Sequence, residues 1–244
     1  MKLLASLLAV GVMLPGFFWE SPVHAKTVDD AETAELLTIL LKVGRTVVSE
    51  RQGLINDATK ADKGFTDAVA AREILERFKS DTQIDLTESA GVPRREVLLA
   101  MVESQREVIR DVQPVINKQG IGFKGFVPSL FARKVGQKLF AKTGIRVKLT
   151  AVDSRYPGNQ PDDFEGEVLK VFADPDYPKG KRYVKRAVVD DEPAVRVMYP
   201  EYAEATCLMC HGDPKGERDV TGMKKEGWKE GELAGAISVV MPIR

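Results

Sequence analysis

Cysteine and histidine are almost missing from this chain, with two of each in 244 residues. The cysteines are Cys207 and Cys210, and the histidines are His24 and His211. A metal centre built from several imidazoles is therefore excluded. An excess of charge of either sign is also missing: Lys plus Arg and Asp plus Glu stand at 36 each. No overall field draws the chain to nucleic acid or to an anionic membrane. Beyond the first 25 residues no apolar run approaches the ~20 residues that a membrane span needs. There is no internal repeat and no low-complexity tract. No pair of carboxylates and no activated nucleophile is placed in a way that argues for an enzyme.

The opening segment MKLLASLLAVGVMLPGFFWESPVHA has Lys2, an apolar run from Leu3 to Leu14, a Pro15-Gly16 break and a small-residue ending at Ala25. That is the layout of a cleaved secretory signal, and Pro15, Gly16 and Glu20 interrupt it too early for a retained anchor. The expectation is export to the periplasm or another extracytoplasmic space, with residues 1–25 removed and 26–244 forming a single domain. Cleavage also removes His24. His211 is then the sole histidine.

Helical spacing comes first along the chain. Leu36, Ile39, Leu40, Val43, Val47 and Leu54 recur at three- and four-residue steps and predict a long helix from Asp29 to about Ile55. Thr66 caps a second helix reaching about Phe78. A third follows Pro93 and stops near Pro114, and a fourth runs from Pro128 to Thr143. In that fourth helix Leu130, Phe131, Val135, Leu139 and Phe140 are expected inward, and Gly144 ends it.

After Gly144 the period changes. Arg146 to Thr150 alternates as a half-buried strand. A loop, YPGNQPDDFE at 156–165, leads to a short helix carrying Phe164, Val168, Leu169 and Phe172. Arg182–Val189 and Ala194–Tyr199 form a hairpin around DDEP, and 231–243 supplies a last strand. Helices first and hairpin-linked strands afterwards imply an α+β domain with an antiparallel sheet.

Both cysteines and His211 lie in one stretch, TCLMCHGD at 206–213. A zinc site needs four ligands and finds three here unless a carboxylate joins. A structural disulfide between Cys207 and Cys210 closes so short a loop that it restrains the unfolded chain little. A redox dithiol belongs at a helix start after a strand in a βαβ unit, whereas this one runs into Gly-Asp-Pro. In the remaining reading, C-x-x-C-H, the thiols add across the two vinyl groups of a haem and the next imidazole becomes the iron's proximal ligand. That reading uses every cysteine and the sole mature histidine, in an exported chain.

Four stretches carry a resemblance: LINDATKADKGFT at 54–66, YPGNQPDDFE, TCLMCHG at 206–212 and GWKEGELAGAISVVMPI at 227–243. Through them the chain resembles exported c-type haem proteins with a PAS-like sensor fold, found alone or as input domains ahead of histidine kinases and receptors. The resemblance implies a PAS-like antiparallel sheet of five strands, a helical N-terminal portion and one covalent haem c. Cys207 and Cys210 become the attachment thiols and His211 the proximal iron ligand. Some members supply a cysteine as second axial ligand from a region that aligns with Phe131–Gly136. Here Ala132 stands there, and no thiol is left.

Either another residue then fills the sixth position, with Met101, Met198, Met223, Met241 and the lysines as candidates, or the iron is five-coordinate. Methionine at those spacings also serves as ordinary core. Phe123, Phe126, Leu130, Phe131, Val184, Val195, Val197 and Ile237 are candidates to line the macrocycle or to be plain core. Lys179, Lys181, Arg182, Lys185 and Arg186 are candidates for the propionates or for a solvated strand edge. The functional expectation is a redox or small-gas sensor that acts through a protein partner. The alternatives are an electron-transfer cytochrome, and a non-haem small-molecule binder with a disulfide.

Overall fold

The computed structural model describes residues 22–88 and 91–243. Most of the expected export signal, residues 1–21, lies outside them. Seven helices and four strands are present among the described residues, helices first.

Helix α1 (Pro22–Glu50) is enclosed on most sides between Asp30 and Val48: Leu37, Leu40, Leu41 and Val47 are fully buried, and the polar Asp30, Thr33 and Thr38 are buried with them. A helix of that kind belongs inside a domain rather than on its surface. It packs against α3 (Asp67–Thr82), α4 (Arg95–Ile116) and α5 (Pro128–Thr143), and against the sheet. The single helix expected to Ile55 breaks at Arg51, and a short α2 (Gln52–Ile55) completes it. The Gln52 side chain there reaches the Phe126 carbonyl at 3.0 Å.

Thr66 caps α3 as expected, its hydroxyl accepting from the Val69 N–H at 3.2 Å. Pro114 does not stop α4, which runs on to Ile116. A proline lacks one N–H and crowds the carbonyl four residues before it, so the helix ends within one turn of Pro114. Pro128 and Gly144 bound α5 as expected. Gly144 takes φ 73°, a left-handed value that glycine adopts without Cβ strain, and its N–H closes on the Phe140 carbonyl. Phe140 is a correction. It is 47% exposed, because Phe131, Val135 and Leu139 form the buried stripe with Ala132 and Gly136, and Phe140 lies past its edge.

The sheet has four strands, β1 (Arg146–Thr150), β2 (Tyr183–Val189), β3 (Glu192–Tyr202) and β4 (Leu233–Pro242), in the order β1-β4-β3-β2, all antiparallel. A fifth strand was expected, and the described residues do not form one. Between β1 and the next helix the chain carries Pro157 and Pro161 and folds into turns and a one-turn 3-10 helix (Pro157–Asn159). Proline cannot donate to a ladder. The β2–β3 hairpin turns on Asp190 and Asp191, both at positive φ, as a two-residue turn matched to strand twist requires.

Alternation on the central strands separates two cores. Val195, Val197, Ile237, Val239 and Met241 face the helices and join the main core. Met198 and Ala236 face the other way, onto α6 (Asp163–Ala173), which buries Val168, Leu169 and Phe172. A capping box between Asp162 and Glu165 starts α6. Glu165, almost fully buried, is bridged by Lys148 at 2.9 Å and Arg196 at 3.4 Å, fixing the helix to β1 and β3. Among the described residues no helix is long and apolar enough to cross a membrane.

Candidate functional site

The site is an excursion between the two central strands. Bonds from Ala203 N–H to the Glu232 carbonyl and from Gly231 N–H to the Ala203 carbonyl, both 2.8 Å, clip its base. Helix α7 (Ala205–His211) opens it and carries Cys207, Cys210 and His211. Two contacts pin the β3–α7 junction to α1: Arg45 to Glu201 at 2.5 Å and Lys42 to Glu204 at 3.1 Å.

Cys207 and Cys210 are free, half-buried thiols three residues apart on this helix, a spacing that puts both on one face. Burial pushes the Cys210 thiol's pKa up, so it stays protonated at neutral pH.

His211 is held from several sides. Its Nδ1 lies 2.7 Å from Glu226 Oε2. Its ring stacks on Trp228, with centroids 4.3 Å apart and planes within 8°. Its own carbonyl accepts from the N–H groups of Gly227 and Trp228, both at 2.9 Å. Gly227 sits at φ 81°, which lets consecutive N–H groups converge on one oxygen. Burial lowers the imidazole's pKa against the pull of Glu226, so the ring is neutral at pH 7. With Nδ1 turned to a carboxylate, Nε2 is the nitrogen left to bind a metal.

Arg155 organises the excursion from outside it. Its Nε meets Glu226 Oε1 at 2.5 Å and its Nη2 meets Glu226 Oε2 at 2.7 Å, a bidentate fork. Nη1 meets Asp219 Oδ2 at 2.6 Å, and Nη2 also reaches the carbonyls of Cys210 at 2.9 Å and Lys224 at 3.0 Å. Burial acts to raise the Glu226 pKa, but the bonds from Arg155 and His211 outweigh it and hold the carboxyl below its usual range. Asp219 behaves alike: the Thr221 and Arg155 bonds overcome its burial and bring it to about 2.

Sequence reasoning found Cys207, Cys210 and His211 and missed Arg155, Asp219, Glu226 and Trp228. Arg155 stands one residue before the loop phrase YPGNQPDDFE, Glu226 one before the C-terminal phrase, and Trp228 inside it. Those phrases were the available signal.

The other candidates do not gather at α7. Met101 and Met241 lie in the main core and Met198 in the second, all fully buried, while Met223 is 44% exposed on the turn beyond Asp219. Ala132, Phe126, Phe131, Val195, Val197 and Ile237 are main-core residues as well. Leu130 packs on that core's margin, and Phe123 and Val184 are exposed. These residues therefore do not form one box around a macrocycle at Cys207. The basic run lies on or beside the edge strand β2: Arg182 pairs with Glu35, Lys179 sits over the Tyr202 ring and Lys185 over Phe164. A separate groove of about 740 Å³ between α3 and α4 is floored by Ala71, Leu75, Leu99 and Val102, and none of its lining comes from α7.

These features define an α+β protein in which the neutral His211 imidazole is held by Glu226 and Trp228 beside two free thiols. The model of the Tll0287-like family matches residues 82–242, and the chain belongs to that family. Among solved structures it is similar to the cyanobacterial heme-protein Tll0287, at 17% identity over 61% of this chain and 92% of that one, with a TM-score of 0.39. Among curated proteins no relative matches.

Proposed function

We propose that the chain is an exported protein carrying one covalent haem c, attached through thioether bonds from Cys207 and Cys210 and ligated by His211 Nε2. The observation that carries this reading is the clamp on His211. A surface histidine without a ligand role has no need of a carboxylate on Nδ1, a stacked indole and two N–H groups on its carbonyl. Metal-binding histidines characteristically do send their second nitrogen to a carboxylate. Both thiols are free and on one helical face, as attachment to neighbouring edges of one macrocycle demands. Membership of the family that takes its name from Tll0287, a cyanobacterial heme-protein, supports the same group.

A haem held there by Cys207, Cys210 and His211 would supply one-electron redox chemistry and a site for a small gas. The chain's own part is mechanical and electrostatic. Glu226 orients the imidazole, Trp228 covers one of its faces, and Arg155 keeps Glu226 ionised against its burial and balances its charge.

The role we infer is that of a redox or small-gas sensor acting through a separate protein partner, on a PAS-like sheet of four strands instead of five. Met101, Met198 and Met241 are committed to cores, which favours this over a carrier whose iron is closed by one of those methionines. No catalytic step is part of the proposal. Carbon monoxide added to the reduced protein tests the choice: a rapid Soret shift is expected. An unresponsive spectrum would favour the electron-transfer cytochrome.

A further inference from the structure

We propose that Arg155 is a positioning residue for the axial imidazole, acting through Glu226 to fix both the orientation of His211 and the strength with which it binds iron. The inference rests on the haem reading above and adds to it a residue far from the C-x-x-C-H motif.

Glu226 has no uncommitted oxygen facing the guanidinium. Oε1 takes Arg155 Nε, while Oε2 is shared between Arg155 Nη2 and His211 Nδ1, each at 2.7 Å. A carboxylate that accepts from a guanidinium gives less of its negative charge to a second donor. Arg155 thus weakens the pull of Glu226 on the Nδ1 proton, and the ring binds iron as an imidazole with limited anionic character. The same guanidinium holds the Cys210 carbonyl at the end of α7 and the Lys224 carbonyl and Asp219 in the turn region. The ligand's helix and the segment bearing Glu226 are thereby kept in one frame. A lysine offers a point charge and cannot reproduce that fork.

The sign of the effect follows. Arg155→Gln frees Glu226 to pull harder on Nδ1, strengthens the iron–imidazole bond and lowers the reduction potential. Glu226→Gln removes the anionic acceptor, weakens that bond and raises the potential. The test uses the full chain, matured with haem, as wild type, Arg155→Gln, Arg155→Lys and Glu226→Gln, with haem content and far-ultraviolet circular dichroism as folding controls. Potentials are measured by spectroelectrochemistry and the iron–histidine stretch by resonance Raman of the reduced protein. Expected are shifts of opposite sign in Arg155→Gln and Glu226→Gln, in both readouts, with incomplete restoration by Arg155→Lys. Shifts of the same sign, or a stretch that moves in neither variant, overturn the proposal.

If the wild type matures without haem, the haem reading fails and the positioning claim is still tested on the haem-free chain. There the His211 Nδ1–H resonance, followed by NMR, is expected to move downfield in Arg155→Gln, as a stronger bond to Glu226 implies, and upfield in Glu226→Gln. An unchanged Nδ1–H shift in Arg155→Gln overturns the positioning role itself.

Discussion

Replacing Asp219 by Asn removes one charge from the frame that supports His211 and alters its shape very little. The Asp219 side chain is fully buried. Its Oδ2 takes Arg155 Nη1 at 2.6 Å, and its Oδ1 takes the Thr221 N–H at 2.7 Å, the Thr221 hydroxyl at 2.6 Å and the Met223 N–H at 3.2 Å. Those bonds draw its pKa from 3.8 to about 2. A depression of that size corresponds to about 2 kcal/mol of stability, at ~1.36 kcal/mol per pH unit. Because the folded-state value is the lower one, the contribution is complete above about pH 3.8 and disappears as pH falls through about 2. Asp219→Asn is therefore expected to lose about 2 kcal/mol at pH 7, a fall of roughly 4–8 °C in Tm for a chain of this size. Urea unfolding followed by circular dichroism, at pH 7 and again near pH 2.5, measures it. The difference from wild type should shrink at the lower pH. An equally stable variant at pH 7 would refute the reasoning, and so would a loss of the same size at both pH values, which would trace to packing rather than charge.

Two further outcomes are expected. Phe131→Ala removes a fully buried ring that meets Phe126 edge-on at 6.2 Å, and should cost about 3–5 kcal/mol in denaturant unfolding with the site's spectrum intact if the protein remains folded. Cys210→Ala should leave haem held by a single thioether, seen as a red-shifted pyridine haemochrome band with the haem stain retained on denaturing gels.

Periodicity disclosed much of the fold because each element's apolar stripe is a local property. Pro128 and Gly144 bracket α5 where the spacing put them, and the β-rich runs read at 182–189 and 194–199 fall in β2 and β3, which pair around Asp190 and Asp191. Where local pattern and tertiary packing diverge, the sequence misled: Phe140 fits the helical repeat loosely and faces solvent. The loop read at 156–165 is a loop up to α6, and the fifth strand that the resemblance implied does not form among the described residues. The site divides the same way. Cys207, Cys210 and His211 declare themselves by adjacency. Arg155 lies 71 positions from Glu226, and a lone arginine beside a loop carries no local mark of the carboxylate that folding brings to it. Trp228 is equally mute, since stacking on His211 depends on a turn whose geometry rests on Gly227.

The intact mass of full chain expressed in a host with working cytochrome c maturation bears most directly on the haem at Cys207 and Cys210. The predicted result is one species, the polypeptide plus a single haem, with the mass addition mapping to the peptide that spans both cysteines. Bare polypeptide recovered from correctly processed material would contradict it.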